Sequence, residues 1–173
     1  METKDLLKVV AKDLAGRIKE CPGLNVFAQK KSSFEQWIQV AICSSLIEQG
    51  IRCTDIRVEE YLEGWSPDII FNFENQKVII ELKNKIAEGG GGRTSLSGII
   101  EDIEEIKKAL NGYKGAVIFV IYPLAEDGRE KWKKSKKNVF NTIQSSLDAM
   151  GNCEFEFDNN GGKGIIYWGM VKK

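Results

Sequence analysis

Two acidic residues and a lysine lie at the ends of apolar segments, where charged side chains are uncommon. Asp68 opens the apolar segment 69–71, and Glu81 and Lys83 close the apolar segment 78–80. Successive side chains of a strand point to opposite faces, so Glu81 and Lys83 share one face. The spacing therefore predicts a carboxylate and an ammonium group side by side at one strand end.

The face on which Asp68 lies depends on the turn between the two segments. A two-residue turn at Asn75-Gln76 would place Asp68 opposite Lys83, and a four-residue loop would place it opposite Glu81. Either loop of even length brings all three side chains to one face. A three-residue loop would turn Asp68 to the other face, so the site has a geometric requirement.

Carboxylates that converge on one face suit metal-assisted hydrolysis. Two such groups form a hard-oxygen site of the kind that Mg²⁺ or Mn²⁺ prefers. A lysine beside the cation can orient a water, lower its pKa or stabilise phosphate charge. The sequence contains no histidine, which excludes histidine-based triads and histidine-ligated zinc or haem. Phosphodiester hydrolysis with a metal ion needs no histidine.

The elements that position these residues follow from hydrophobic periodicity and turn residues. Helices are predicted over residues 4–20, from a cap at Ser32 or Ser33 to Gly50, over 96–110 and over 129–150. Strands are predicted over residues 51–62, 68–73, 77–83, 115–122, 153–157 and 164–170. Three strands followed by a helical crossover to a fourth indicate an α/β fold with a mixed central sheet flanked by helices.

Length and composition predict one globular domain over residues 1–173. Hydrophobic residues make up 42% and charged residues 29% of the chain, which excludes wholesale disorder. Apolar runs are far shorter than the roughly 20 residues of a membrane-spanning helix, and no secretory signal is visible. The cysteines, Cys21, Cys43, Cys53 and Cys153, lack a CxxC pair and fit reduced, mostly buried thiols. We therefore expect a cytoplasmic protein without membrane contact.

Local patches, not overall charge, would have to bind nucleic acid, because the formal net charge is zero. Residues 129–137 carry six basic residues against one acidic residue, and four glycines over 89–92 precede further polar residues. A solvated helix face and a mobile surface loop are the alternative interpretations. The candidate nucleic-acid contacts are Arg93, Thr94, Ser95, Lys131, Lys133, Lys134, Lys136 and Lys137.

The acidic and basic residues together carry a family resemblance. Pro67-Asp68, twelve intervening residues and then Glu81-Leu82-Lys83 resemble the motif of the PD-(D/E)xK nuclease superfamily. The predicted element order is similar to the α-β-β-β-α-β core of its restriction-endonuclease-like fold. The resemblance covers roughly residues 33–122. An extra N-terminal helix precedes this core, and a C-terminal helix and two short strands follow it.

The resemblance implies a role for each motif residue. Asp68 and Glu81 would bind Mg²⁺ or Mn²⁺ with the backbone carbonyl of Leu82, and Lys83 would position or activate the attacking water. Glu35 lies where many members carry a further acid, and it falls within the apolar arc of its predicted helix. It would complete the metal site directly or through water.

The resemblance implies a metal-dependent nuclease that cuts DNA, ahead of RNA, in prokaryotic or phage restriction, repair, recombination or defence. An endonuclease is expected, assisted by a polar residue among Thr94, Ser95 and Ser97. Many such nucleases pair two active sites, so a homodimer or a targeting partner is expected. Two alternatives stay open: a catalytically inert nucleic-acid-binding or assembly module on the same fold, and an interaction protein with an accidental motif.

Overall fold

The computed structural model describes residues 1–30, 32–62, 64–86, 96–109, 111–124, 137–157 and 162–172. The helices of this part of the chain are α1 (Thr3–Lys19), α2 (Gly23–Gln29), α3 (Glu35–Glu48), α4 (Ser97–Ala109) and α5 (Lys137–Ser145). The strands are β1 (Ile56–Val58), β2 (Ile69–Phe73), β3 (Gln76–Ile86), β4 (Tyr113–Leu124), β5 (Leu147–Glu156) and β6 (Lys163–Val171).

The six strands form one open, mixed sheet in the order β1-β2-β3-β4-β6-β5. Strands β3 and β4 are parallel and are joined through α4, whereas the other neighbours are antiparallel. A parallel pair requires such a crossover, because the chain must return to the starting end of the first strand before the second strand can run in the same direction. The expected α/β class with a mixed, helix-flanked sheet is confirmed.

Both faces of the central strands are buried by helices. Val78, Ile80 and Leu82 of β3 pack in the cluster that contains residues of α1, α2 and α3. Ile79 packs in the opposite cluster with residues of α4 and α5. Burial on both faces explains the nearly continuous apolar sequence of β4, since no position of that strand faces solvent along its centre.

A tight turn joins β2 to β3 and fixes their register. Glu74 and Asn75 have φ values of 48° and 61°, as a two-residue type I′ hairpin turn requires. Phe73 pairs with Gln76, and Ile69 pairs with Ile80. The turn is therefore one residue earlier than the expected Asn75-Gln76 turn. Its register is the one that the four-residue alternative predicted, with Asp68 on the side of Glu81.

The prediction of one helix over residues 129–150 is wrong at its C-terminal end. Helix α5 ends at Ser145, and Leu147 begins β5. The N–H of Ser146 donates to the carbonyls of Thr142 at 3.2 Å and Ile143 at 3.0 Å, which closes the last helical turn. Leu147 then pairs with Val171 and is buried, so sheet pairing outweighs helical periodicity. Residues 129–136 lie outside the described part of the chain.

Two further expectations need correction. Most of the predicted strand over residues 51–62 is not a strand, because Cys53–Asp55 form a 3-10 turn that an Arg52–Asp55 ion pair of 2.7 Å holds. Helix α2 was not predicted. Pro22 is tolerated at its start, and Leu24 and Ala28 bury one side of it.

The cysteines are free thiols, as expected, but they are less buried than predicted. Cys53 is exposed and Cys21, Cys43 and Cys153 are half-buried. No helix among the described residues has both the length and the hydropathy needed to cross a membrane.

Candidate active site

The structure brings Asp68, Glu81 and Lys83 to the same face of the sheet. Glu81 and Lys83 are two and four residues from Ile79 in β3, so their side chains point to the same face as Ile79. That face packs against α4. Asp68 directly precedes β2 and shares the parity of Ile70, which belongs to the same cluster. The hairpin register places Asp68 beside Glu81, so the geometric requirement of the predicted site is met.

Asp68 is held in place by both its backbone and its side chain. Its Oδ2 accepts a hydrogen bond from the N–H of Leu82 at 2.6 Å. Its backbone carbonyl accepts from Nε2 of Gln39 at 2.9 Å and from the N–H of Glu59 at 3.3 Å. The N–H and C=O of one residue in an extended strand point to the same edge, so the Leu82 carbonyl lies on the edge of β3 that faces Asp68.

Glu81 is a buried acid between Asp68 and the apolar strand β4. Its exposed fraction is 5%, and it pairs with Val117 across the parallel strands. Burial, a hydrogen bond to Asp68 and the charges of Asp68 and Asp102 raise the pKa of Glu81 to about 9, against the opposing effect of Lys83. Without a cation, the Glu81 carboxyl therefore keeps its proton at pH 7.

Lys83 does not pair with either of these acids. Its Nζ lies 3.1 Å from Oδ2 of Asp102 on α4, and the two side chains are 27% and 19% exposed. Burial lowers the pKa of Lys83, but the charges of Asp102, Glu81 and Glu35 outweigh burial, so the pKa is raised and the group stays an ammonium. Burial raises the pKa of Asp102, and Lys83 opposes that rise.

Glu35 approaches β3 from the first turn of α3. Its Oε2 accepts a hydrogen bond from the N–H of Asn84 at 2.7 Å. The ladder between β2 and β3 ends at the Ile69–Ile80 pair, and the next outward N–H groups of β3 bond to Asp68 and Glu35. At this edge, two carboxylates therefore accept the backbone hydrogen bonds that a neighbouring strand would otherwise accept.

A buried tyrosine fixes the segment that leads into α3. Tyr122 donates a hydrogen bond to the carbonyl of Ser32 and accepts one from Nδ2 of Asn84 at 3.3 Å. Burial raises the pKa of Tyr122 to about 12, so it remains a neutral donor. This contact ties the approach of Glu35 to the strand that carries Glu81 and Lys83.

The donor set suits a small, hard cation held by few protein ligands. Mg²⁺ typically binds one or two carboxylates and keeps several waters. Asp68 and Glu81 supply two carboxylates, and Oε1 of Glu81 is buried with no hydrogen-bond partner among the described residues. Within those residues, however, no three carboxylate or thiol side chains are grouped to hold a metal ion. The fit therefore depends on two carboxylates, the Leu82 carbonyl and water.

Most of the predicted nucleic-acid contacts lie outside the described residues. These are Arg93, Thr94, Ser95, Lys131, Lys133, Lys134 and Lys136. Lys137 is described, and it is the exposed first residue of α5.

Sequence reasoning missed Asp102, which contacts Lys83. From the sequence alone, the acidic run Glu101-Asp102 with Glu104-Glu105 could repel DNA, pair with a partner or have no role. In the structure, Glu104 and Glu105 pair with Lys107 and Lys108. Asp102, however, follows the buried Ile99 by three residues and precedes the buried Ile106 by four. Such an acid beside an apolar stripe carries the same signal that singled out Glu35, and it could have been found in the same way.

Comparison with known proteins adds no relative. A scan against protein-family models, a search of the curated proteins and a search of the solved structures each find no match to the chain. Function is therefore inferred from the residues of the chain itself.

Proposed function

We propose that this protein is a metal-dependent nuclease that hydrolyses phosphodiester bonds in DNA. One observation carries the proposal: the buried carboxyl group of Glu81 lies beside the half-buried Asp68 and shares a sheet face with the ammonium group of Lys83. Burial of an acid destabilises the folded protein, and strongly raised pKa values concentrate at functional sites.

The element order supports a restriction-endonuclease-like arrangement. Helix α3, strands β1 to β3, helix α4 and strand β4 follow one another along the chain, and β4 is parallel to β3. This order is similar to the α-β-β-β-α-β core that the motif led us to expect. The motif residues lie at the open end of the β2–β3 hairpin, where the ladder between the two strands stops.

Each residue has a role that its position supports. Asp68, Glu81 and the Leu82 carbonyl would hold Mg²⁺ or Mn²⁺, which activates water and neutralises phosphate charge when it is bound. Lys83 donates hydrogen bonds to the attacking water or to a non-bridging phosphate oxygen. Glu35 holds the end of β3 and places a further carboxylate at its edge.

A second candidate is a catalytically inert module that binds nucleic acid or assembles with a partner. Two observations favour it: Glu81 keeps a proton in the metal-free protein, and the described residues contain no three-ligand group for a metal. In this case Asp68 and Glu35 would serve only to bond the free N–H groups of β3.

A cleavage assay on the purified chain separates these functions. Single-stranded, duplex and branched DNA and RNA are offered with Mg²⁺ or Mn²⁺, with EDTA as the metal-free control. The proposal predicts metal-dependent cutting of a DNA substrate. Cutting should be lost in Asp68→Asn and kept in Asp148→Asn, which alters an exposed acid of β5. Binding without cutting would support an inert module that binds nucleic acid. Neither binding nor cutting would contradict the nuclease and would leave a module that assembles with a partner, or an accidental motif.

Two further expectations belong to this proposal. Many nucleases of the kind that the motif resembles cut both strands of a duplex by pairing two active sites, so we propose a homodimer or a targeting partner. Sedimentation of the free protein and of the DNA complex would measure the number of copies. A cytoplasmic location follows from the same function, since the substrate is intracellular DNA.

A further inference from the structure

Lys83 has a choice of acidic partners, and the structure shows which one it takes. Lys83 and Glu81 lie on the same face two residues apart, a separation of about 6.6 Å along a strand, within reach of a lysine side chain. The ammonium group nevertheless lies 3.1 Å from Asp102. Asp68 and Glu81 lie beside each other on the same face, as the β2–β3 register requires.

Asp102 is fixed in place by the packing of its helix. Ile99, Ile103 and Ile106 of α4 are fully or almost fully buried against the sheet. Asp102 lies beside this stripe and is only 19% exposed. The packed helix therefore positions the Asp102 carboxylate beside Lys83, so this ion pair differs from one between two flexible surface side chains.

We propose that Asp102 is a positioning residue that keeps the Lys83 ammonium out of the Asp68–Glu81 pair, so that this pair can take a divalent cation. The inference rests on the proposed function, because it concerns the same cation site. An ammonium bonded to Asp68 or Glu81 would occupy the oxygens that a cation needs. With Asp102 as its partner, Lys83 remains close to the site without competing for those oxygens.

Cation binding tests this directly and needs no catalytic activity. Mn²⁺ affinity is measured by calorimetric titration of the parent chain and of Asp102→Asn. The expected result is a loss of about tenfold or more, because the ammonium then turns to the acid pair. Asp102→Glu, which keeps a carboxylate, should retain most of the affinity. Glu101→Gln, which alters an exposed acid of the same helix, should leave it unchanged.

Double variants separate positioning from simple summed charge. The double variant Asp102→Asn/Lys83→Gln should bind Mn²⁺ as tightly as the single variant Lys83→Gln, because neither protein has an ammonium group that competes for the acid pair. Asp102→Asn combined with Lys85→Gln removes a neighbouring positive charge on the same face and should stay weak. Equal recovery in both double variants would overturn the inference, since only net charge would then matter.

The remaining outcomes are also decisive. If the parent binds Mn²⁺ and Asp102→Asn binds it equally well, the inference is wrong and the cation site stands. If the parent binds no divalent cation, both the proposed function and this inference are wrong. Should Asp102→Asn not fold, a crystal structure of the parent with Mn²⁺ gives the answer. Lys83 must then remain in contact with Asp102, and a contact with Asp68 or Glu81 would overturn the inference.

Discussion

Glu81 is the residue at which burial and charge conflict most strongly. Its carboxyl group is buried and lies beside a second carboxyl group, that of Asp68. Ionising both groups would place two like charges together in a poorly solvated site, so one proton stays bound. The neutral form is thus a property of the free protein, and a bound cation would remove the need for it.

Glu81→Gln should stabilise the metal-free protein in a pH-dependent way. With a pKa of about 9 in the folded chain and 4.5 as the reference, the folded state keeps a proton that the unfolded state releases. The stability that comes from this proton is fully present below pH 4.5 and is lost as the pH rises towards 9.

We therefore expect the glutamine variant to gain at least about 1 kcal/mol in unfolding free energy at pH 8 and little at pH 4. Urea denaturation at the two pH values measures this. A variant that is less stable than the parent at pH 8 would show that Glu81 is ionised in the folded protein.

Two substitutions of Glu35 can separate its structural role, the hydrogen bond to Asn84, from a role in cation binding. Glu35→Gln keeps an oxygen that can accept the Asn84 N–H, whereas Glu35→Ala removes it. The alanine variant should lose about 1–2 kcal/mol of stability, and the glutamine variant should stay close to the parent. If Glu35 serves the cation, both variants should cut DNA more slowly. Full activity in a stable Glu35→Gln variant would limit Glu35 to a structural role.

The site residues that could be predicted from sequence are those whose face is set by strand alternation and by the register of one hairpin. Asp68, Glu81 and Lys83 share a face because strand periodicity and an even register require it. Helical periodicity could have marked Asp102 as an acid beside an apolar stripe, but its contact with Lys83 could not be predicted, because that contact depends on how α4 packs on the sheet. Gln39 and Asn84 were missed for the same reason, since their hydrogen bonds link elements that are distant in sequence.

The β2–β3 hairpin is the element on which the site most depends, and its turn is not optimal. Glu74 adopts φ 48°, a left-handed conformation that costs energy for most residues but is tolerated by asparagine. Glu74→Asn should therefore stabilise the protein by about 0.5–1 kcal/mol without altering the site. The exposed ion pair between Glu74 and the N-terminus contributes little against this gain.

Thermal denaturation of Glu74→Asn and Glu74→Ala measures the effect. Alanine also disfavours the left-handed conformation and loses the same ion pair, so it should show no gain. Equal stabilities of the two variants would contradict a turn-based explanation.

Elements with a strong buried pattern were predictable, whereas exposed or short ones were not. The buried strands β2, β3 and β4 and the helices α1, α3 and α4 lie close to their expected positions. Strand β1 is short and mostly exposed, so apolar alternation gave no boundary for it. The α5–β5 boundary was missed because residues 147–150 take their conformation from pairing with β6, which lies later in the chain.

At the scale of the molecule, helices pack on both faces of the sheet, and the acids lie where the β2–β3 ladder ends. A cation that binds only the folded chain stabilises it through mass action. At about one hundred times its dissociation constant, Mg²⁺ or Mn²⁺ should raise the thermal midpoint by roughly 5–10 °C. Differential scanning fluorimetry with added cation and with EDTA measures this. The shift should be absent in Asp68→Asn, and an equal shift in that variant would place the cation elsewhere.

The most direct test of the account compares two lysines of one strand. Lys83 and Lys77 point to the same face of β3, but Lys77 is exposed at the far end, beside Tyr113. The single-turnover rate of DNA cleavage in Mg²⁺ is measured for the parent, Lys83→Ala and Lys77→Ala. We predict a loss of about a hundredfold or more for Lys83→Ala and an unchanged rate for Lys77→Ala. Equal cleavage by the parent and Lys83→Ala would contradict the assigned site.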